Sequence, residues 1–216
     1  MCKTVFFDLD GTLTDSGEGI LKSLEYAFRE LGFDVPDIKT LRMFIGPPLV
    51  ASFHEYVNFD DETTQRAIAK YRERYVVKGI FENSPYDGIT ELLEMLREKG
   101  FRLAIATTKP EHMAKTVTDH FGITDFFEAV SGAQSEGDTK EDVIRKACRR
   151  MKISENEMKN ILMVGDRKYD IEGAHRCGMK CIGVGWGFAP EGEFEQYGAD
   201  FVADDVLQLR ELLLKI

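Results

Sequence analysis

Residues Val5–Ser16 read VFFDLDGTLTDS. An apolar run leads into Asp8 and Asp10, and Gly11-Thr12 follow at once. Two carboxylates so close repel each other, and an apolar strand buries poorly beside uncompensated charge. On an extended chain the i, i+2 spacing puts both side chains on the same side. The pair therefore calls for a positive partner, to be sought elsewhere in the chain.

The chain has 216 residues, of which 43% are hydrophobic and 31% charged, an ordinary globular composition. Its net charge of -10 argues against nucleic acid or an anionic membrane as a partner, since both require clustered positive charge. An anionic substrate would need positive charge assembled locally. No apolar run approaches the roughly 20 residues that span a bilayer. Cys2, Cys148, Cys177 and Cys181 form no C-x-x-C pair, and no secretory segment is expected before MCKTVFF. Free, buried thiols and a cytoplasmic location are expected. His54, His112, His120 and His175 show no metal-ligand spacing and read as structural. Oligomeric state is not legible.

Apolar runs recur at TVFFDLD from Thr4, FRLAIATT from Phe101, FFEAVSG from Phe126, NILMVGD from Asn160 and MKCIGVG from Met179. Without polar alternation they suit strands covered on both faces. Helical patterns lie between them, such as DGITELLEMLREKG, with Ile89, Leu92, Leu93 and Leu96 on one face and Gly100 as a stop. The alternation predicts an α/β doubly wound parallel sheet, a Rossmann-like core. Residues 16–81 break it, carrying only helical patterns punctuated by Gly46-Pro47-Pro48. A small all-helical domain at 16–81 is expected, inserted into a core of residues 1–15 and 82–216. Its aromatics Phe44, Phe53, Tyr56 and Phe59 are expected to pack its helices, while Gly46–Pro48 can line a pocket or simply make a turn.

Ligands of open α/β sheets bind beyond the carboxyl ends of the strands. That rule gathers Asp8, Asp10, Thr107, Thr108 and Asp166, with Asp170 one turn on and Lys140 at the start of a helix. Clustered carboxylates suit Mg2+, a hard cation that also accepts substrate phosphate. A carboxylate is ionised at neutral pH and can attack phosphorus without a separate base. A second one can serve as general acid and then as base. Thr107 offers a hydroxyl and Lys140 a cation to the transferred group. The flanking residues have plainer readings: Lys109 as a surface lysine or a source of positive potential, Arg167 as a structural ion-pair partner, and Cys177 and Cys181 as core.

DLDGTLTDS, ATTKP, GDTKEDVI and GDRKYDIEGA, in that order, resemble the four motifs of the haloacid dehalogenase-like (HAD) hydrolase superfamily. The helical insert resembles the C1 cap of its subfamily of phosphoglycolate phosphatase and β-phosphoglucomutase. The resemblance implies a HAD core with Asp8 as nucleophile and Asp10 as acid/base, the latter also a metal ligand through its backbone carbonyl. It implies that Thr107 orients the phosphoryl group, Lys140 holds the charges together, Asp166 binds Mg2+, and Asp170 assists directly or through water. Close relatives often carry Asn where this chain has Thr108, which leaves that phosphate contact open. A phosphoglycolate phosphatase-like enzyme acting on a small phosphorylated metabolite is expected. A 5'-nucleotidase, a sugar-phosphate phosphatase, a phosphomutase and a catalytically silent binding protein remain alternatives.

Overall fold

The computed structural model describes residues 3–135 and 137–215, so Cys2 lies outside the described residues. Strand β1 (Thr4–Phe7) leads through a tight turn to β2 (Thr14–Asp15). Four helices follow, α1 (Gly17–Glu30), α2 (Ile38–Arg42), α3 (Leu49–Val57) and α4 (Asp61–Tyr75), before the chain returns through β3 (Ser84–Pro85). Helix and strand then alternate: α5 (Ile89–Glu98), β4 (Arg102–Pro110), α6 (Glu111–His120), β5 (Ala129–Ala133), α7 (Lys140–Arg150) and α8 (Glu155–Met158). The chain ends with β6 (Ile161–Gly165), α9 (Lys168–Arg176), β7 (Lys180–Val184), α10 (Glu193–Tyr197), β8 (Phe201–Ala203) and α11 (Val206–Lys215).

The main sheet is parallel, in the order β5-β4-β1-β6-β7-β8. From β1 the chain builds outward to β4 and β5, then returns to β6 on the other side of β1. That reversal opens the crevice where ligands of such sheets bind. The strands are apolar on both faces because both are covered. Val5, Phe7, Leu103 and Ile105 pack into one cluster, and the alternate residues Phe6, Ala104 and Ala106 into a second with Val143 and Ile171. Strand β8 and the short β2–β3 ladder were not anticipated, since two or three residues are too few to show a period.

The β2–β3 ladder pairs Thr14 with Pro85 and Asp15 with Ser84, joining the two arms of the helical segment. Among the described residues, no strand lies between Asp15 and Ser84. The helices pack through aromatics as expected: Phe53 lies 5.0 Å from Phe44 and 5.9 Å from Phe28, ring to ring. The arms touch at Gly19 and Gly79, where a Cβ on Gly19 would overlap the Gly79 carbonyl. Cys148, Cys177 and Cys181 are free and buried.

Glu111 ties α6 to its neighbours, pairing with Arg150 at 2.8 Å and Lys146 at 2.7 Å. Burial works to raise its pKa, but Arg150 and Lys146 outweigh it and pull the carboxyl down to about 2. A carboxyl lowered in the fold stabilises above its unfolded value of 4.5 and loses that contribution as pH falls toward 2. In urea unfolding, Glu111→Gln should therefore be less stable than the native protein at pH 6, with the gap shrinking at pH 3. Gly19→Ala, which forces the two arms apart, should cost about 1–3 kcal/mol in the same assay.

Candidate active site

Strand β1 ends at Phe7, earlier than expected, because the chain turns where the aspartates begin. The Leu9 carbonyl accepts from the N–H groups of Leu13 and Thr14, both at 3.0 Å, closing the turn. Asp8 stays tied to the sheet through its N–H, which donates to the Val164 carbonyl at 2.9 Å. Gly11 takes a φ of 83°, and a Cβ there would overlap the Asp166 carboxylate. Only glycine lets the first motif approach the end of β6 so closely. Thr12 completes the contact, its hydroxyl donating to Asp166 Oδ1 at 3.3 Å. The Gly-Thr pair is thus the cradle of a third carboxylate.

Asp8, Asp166 and Asp170 form one buried group, with an oxygen from each within 4.8 Å of the others. Lys140, at the start of α7, serves two of them: its ammonium lies 2.9 Å from Asp8 and 2.8 Å from Asp170, and donates to the Ala106 carbonyl at 3.0 Å. Burial opposes the ammonium's charge, but Asp170 and Asp8 outweigh it and hold Lys140 protonated. Asp170 also caps α9, accepting from the Arg167 N–H at 3.0 Å, so one side chain both starts the helix and lies in the acidic group. Lys140 likewise follows a capping box between Thr139 and Asp142 while its side chain enters the site. Burial first, then Asp170 and Asp8, push the Asp166 carboxyl well above the usual range. Three carboxyl groups outnumber the one ammonium they face in this buried site, and the all-oxygen donor set fits a hard divalent cation.

Beside this group lies a cavity of about 530 Å3 lined by Asp8, Asp10, Thr107, Thr108 and Lys109 on the rim side. Phe44, Gly46, Pro47, Pro48, Tyr71 and Tyr75 line it from the helical segment. Thr107 is buried at the end of β4. The Thr108 hydroxyl donates to the Gly46 carbonyl at 3.0 Å, joining the rim to the helical segment. Arg167 does the same from β6's end, donating to the Ile45 carbonyl and pairing with Glu193 at 3.0 Å. The Asp10 carboxylate does not join the three-carboxylate group. The turn sends it to another cation, Lys109, at 2.9 Å.

Lys109 is therefore no surface lysine: it is 8% exposed and donates to both Asp10 and the Tyr75 hydroxyl. Two signals could have revealed it. Thr107 and Lys109 share a face of an extended strand, and Tyr71 and Tyr75 share a face of α4. Burial, with Asp10 nearby, pushes the Tyr75 hydroxyl well above the usual phenol range, so it remains a neutral donor and acceptor.

The family described as haloacid dehalogenase-like hydrolase matches residues 5–184. The 5'-nucleotidase of Pseudomonas aeruginosa is 41% identical over 211 residues, covering 97% of this chain and 94% of that protein. The tyrosine-protein kinase PtkA of Mycobacterium tuberculosis is 37% identical over 215 residues, 97% of this chain and 72% of that protein. A crystal structure titled as a predicted phosphatase from Clostridium acetobutylicum superposes with a TM-score of 0.93 at 42% identity, covering both chains fully. This chain belongs to the haloacid dehalogenase-like hydrolase family, and within it to the phosphatases. Among the described residues, no helix is long and apolar enough to cross a membrane.

A carboxyl whose pKa is raised in the fold keeps its proton where the unfolded chain has lost it. The metal-free protein should therefore lose stability as pH rises from the ordinary Asp value of 3.8. Urea unfolding in chelator at pH 5 and pH 8 should show a smaller loss for Asp166→Asn than for the native protein.

Proposed function

We propose that the protein is a Mg2+-dependent phosphatase that hydrolyses a small phosphomonoester through a phosphoryl-enzyme on Asp8. The observation that carries this reading is the buried trio of Asp8, Asp166 and Asp170 around Lys140. Asp8, Asp166 and Asp170 would hold the cation with their carboxylates, and Asp10 through its backbone carbonyl. The bound cation supplies positive charge to the phosphoryl oxygens and screens the carboxylates from one another.

Asp8 attacks phosphorus as the ester oxygen departs, and Asp10 protonates that oxygen. Water then attacks the phosphoryl-enzyme, giving its proton to Asp10 and releasing inorganic phosphate and free Asp8. Lys140 holds Asp8 in line and offsets its charge, while Thr107 donates to the phosphoryl group, with Thr108 beside it. The helices of residues 16–81 act as a cap that covers the rim and keeps bulk water from the phosphoryl-enzyme.

The size of the cavity bears on the leaving group. A two-carbon acid, as in phosphoglycolate, would fill little of about 530 Å3. Walls such as Phe44, Pro47, Leu49, Tyr71 and Tyr75 suit a flat, partly apolar group. With the similarity to a 5'-nucleotidase, this favours a nucleoside 5'-monophosphate over phosphoglycolate as the substrate. Transfer to a hydroxyl acceptor is the second reading, favoured by the relative named as a tyrosine-protein kinase.

Phosphate release should be measured with Mg2+ across nucleoside monophosphates, sugar phosphates and phosphoglycolate. Turnover is expected to be highest for a nucleoside monophosphate and to be lost in chelator. Asp8→Asn should lower it at least about a thousandfold and abolish covalent trapping of phosphate. Substantial turnover in that variant would remove Asp8 as nucleophile. A panel with no phosphate released at all would favour the binding-protein or acceptor readings.

A further inference from the structure

Lys109 and Tyr75 have no part in the reaction as written, yet both are buried against it. The Lys109 ammonium lies 2.9 and 3.2 Å from the two Asp10 carboxylate oxygens and donates to the Tyr75 hydroxyl. The same ammonium sits 4.8 Å from the centre of the Tyr75 ring. Tyr75 is itself fixed, stacked on Tyr71 with ring centres 5.1 Å apart. It is the last residue of α4, whereas Lys109 lies in β4 and Asp10 in the turn after β1. One contact therefore runs from the helical segment, through a core lysine, to the proposed acid/base.

A lysine has a long, flexible stem, and holding its ammonium at one point requires partners on more than one side. Here the partners are a carboxylate and a neutral hydroxyl. The ammonium meets both Asp10 oxygens on one side and the Tyr75 hydroxyl on another, which fixes the direction in which the carboxylate points. The geometry points to Lys109, clamped by Tyr75, as a positioning residue that aims the Asp10 carboxylate at the attacking water. The inference rests on the proposed acid/base role of Asp10. In the step it serves, water oxygen bonds to phosphorus and the water proton passes to Asp10. The bond from phosphorus to the Asp8 oxygen breaks, leaving an Asp8 carboxylate and inorganic phosphate. Because Tyr75 belongs to the helical segment, the base is aimed only while α4 is seated on the rim.

The test separates formation of the phosphoryl-enzyme from its breakdown. With p-nitrophenyl phosphate and Mg2+, rapid-quench measurement reports nitrophenol release in the first turnover, and a chase reports loss of covalent phosphate. Lys109→Met is expected to slow breakdown by about tenfold or more, a fraction of what a general base contributes, and Tyr75→Phe by about threefold or more. Each should slow breakdown more than formation, so a burst of nitrophenol appears or grows. Tyr75→Phe keeps the ring and its stacking, and so tests the clamp even if Lys109→Met folds poorly. Equal slowing of both steps, or a change in KM alone, overturns the inference for the variant that shows it. Asp10→Asn is measured alongside: if it leaves breakdown unchanged, the acid/base reading of Asp10 is what fails. If it slows breakdown while neither Lys109→Met nor Tyr75→Phe does, the positioning role alone is lost.

Discussion

Burying three carboxylates around one ammonium is the constraint on which the rest of this structure depends. Asp8, Asp166 and Asp170 come from β1's turn, the end of β6 and the first turn of α9, and Lys140 from the start of α7. Each carboxylate is costly to desolvate, and the cost is offset only where partners sit within hydrogen-bond range. The fold meets that demand by close approach. Gly11 lets the first motif touch Asp166, and the Phe188 N–H donates to that carboxylate at 2.8 Å. What remains is an excess of carboxyl groups over ammonium, a poor choice for stability and a suitable one for holding a cation. Stability given up at this point is in keeping with the chemistry proposed for it.

A second division of charge separates the two aspartates of the opening motif. Lys140 takes Asp8 and Lys109 takes Asp10, so two neighbouring acids acquire different surroundings. Distinct environments are how paired carboxyls come to hold distinct roles. The helical segment takes part directly, because Tyr75 touches Lys109 while Ile45 and Gly46 receive hydrogen bonds from Arg167 and Thr108. In these three contacts the helical segment offers two backbone carbonyls and a phenol.

Much of this was legible in the linear order of residues. Apolar runs without alternation mark covered parallel strands, and the polar residue ending each run marks the rim. Asp8, Thr107 and Asp166 could be gathered that way, because strand ends in a parallel sheet share one edge. Lys109 was missed because a lysine's burial depends on what packs over it, and Tyr75 stands 34 positions away. The change of direction after Phe7 was missed because an extended reading carries no information about Leu9 accepting from Leu13 and Thr14.

The order of apolar and polar residues decided the layered α/β architecture, the placing of a helical segment after the first strand, and the edge at which the acids gather. These follow from backbone periodicity and strand direction, which act over a few residues. Which ammonium faces which carboxylate was decided by packing across the chain. Asp10 and Lys109 are 99 positions apart, and their contact exists only because a glycine-bearing turn and a tyrosine from another segment meet at that point.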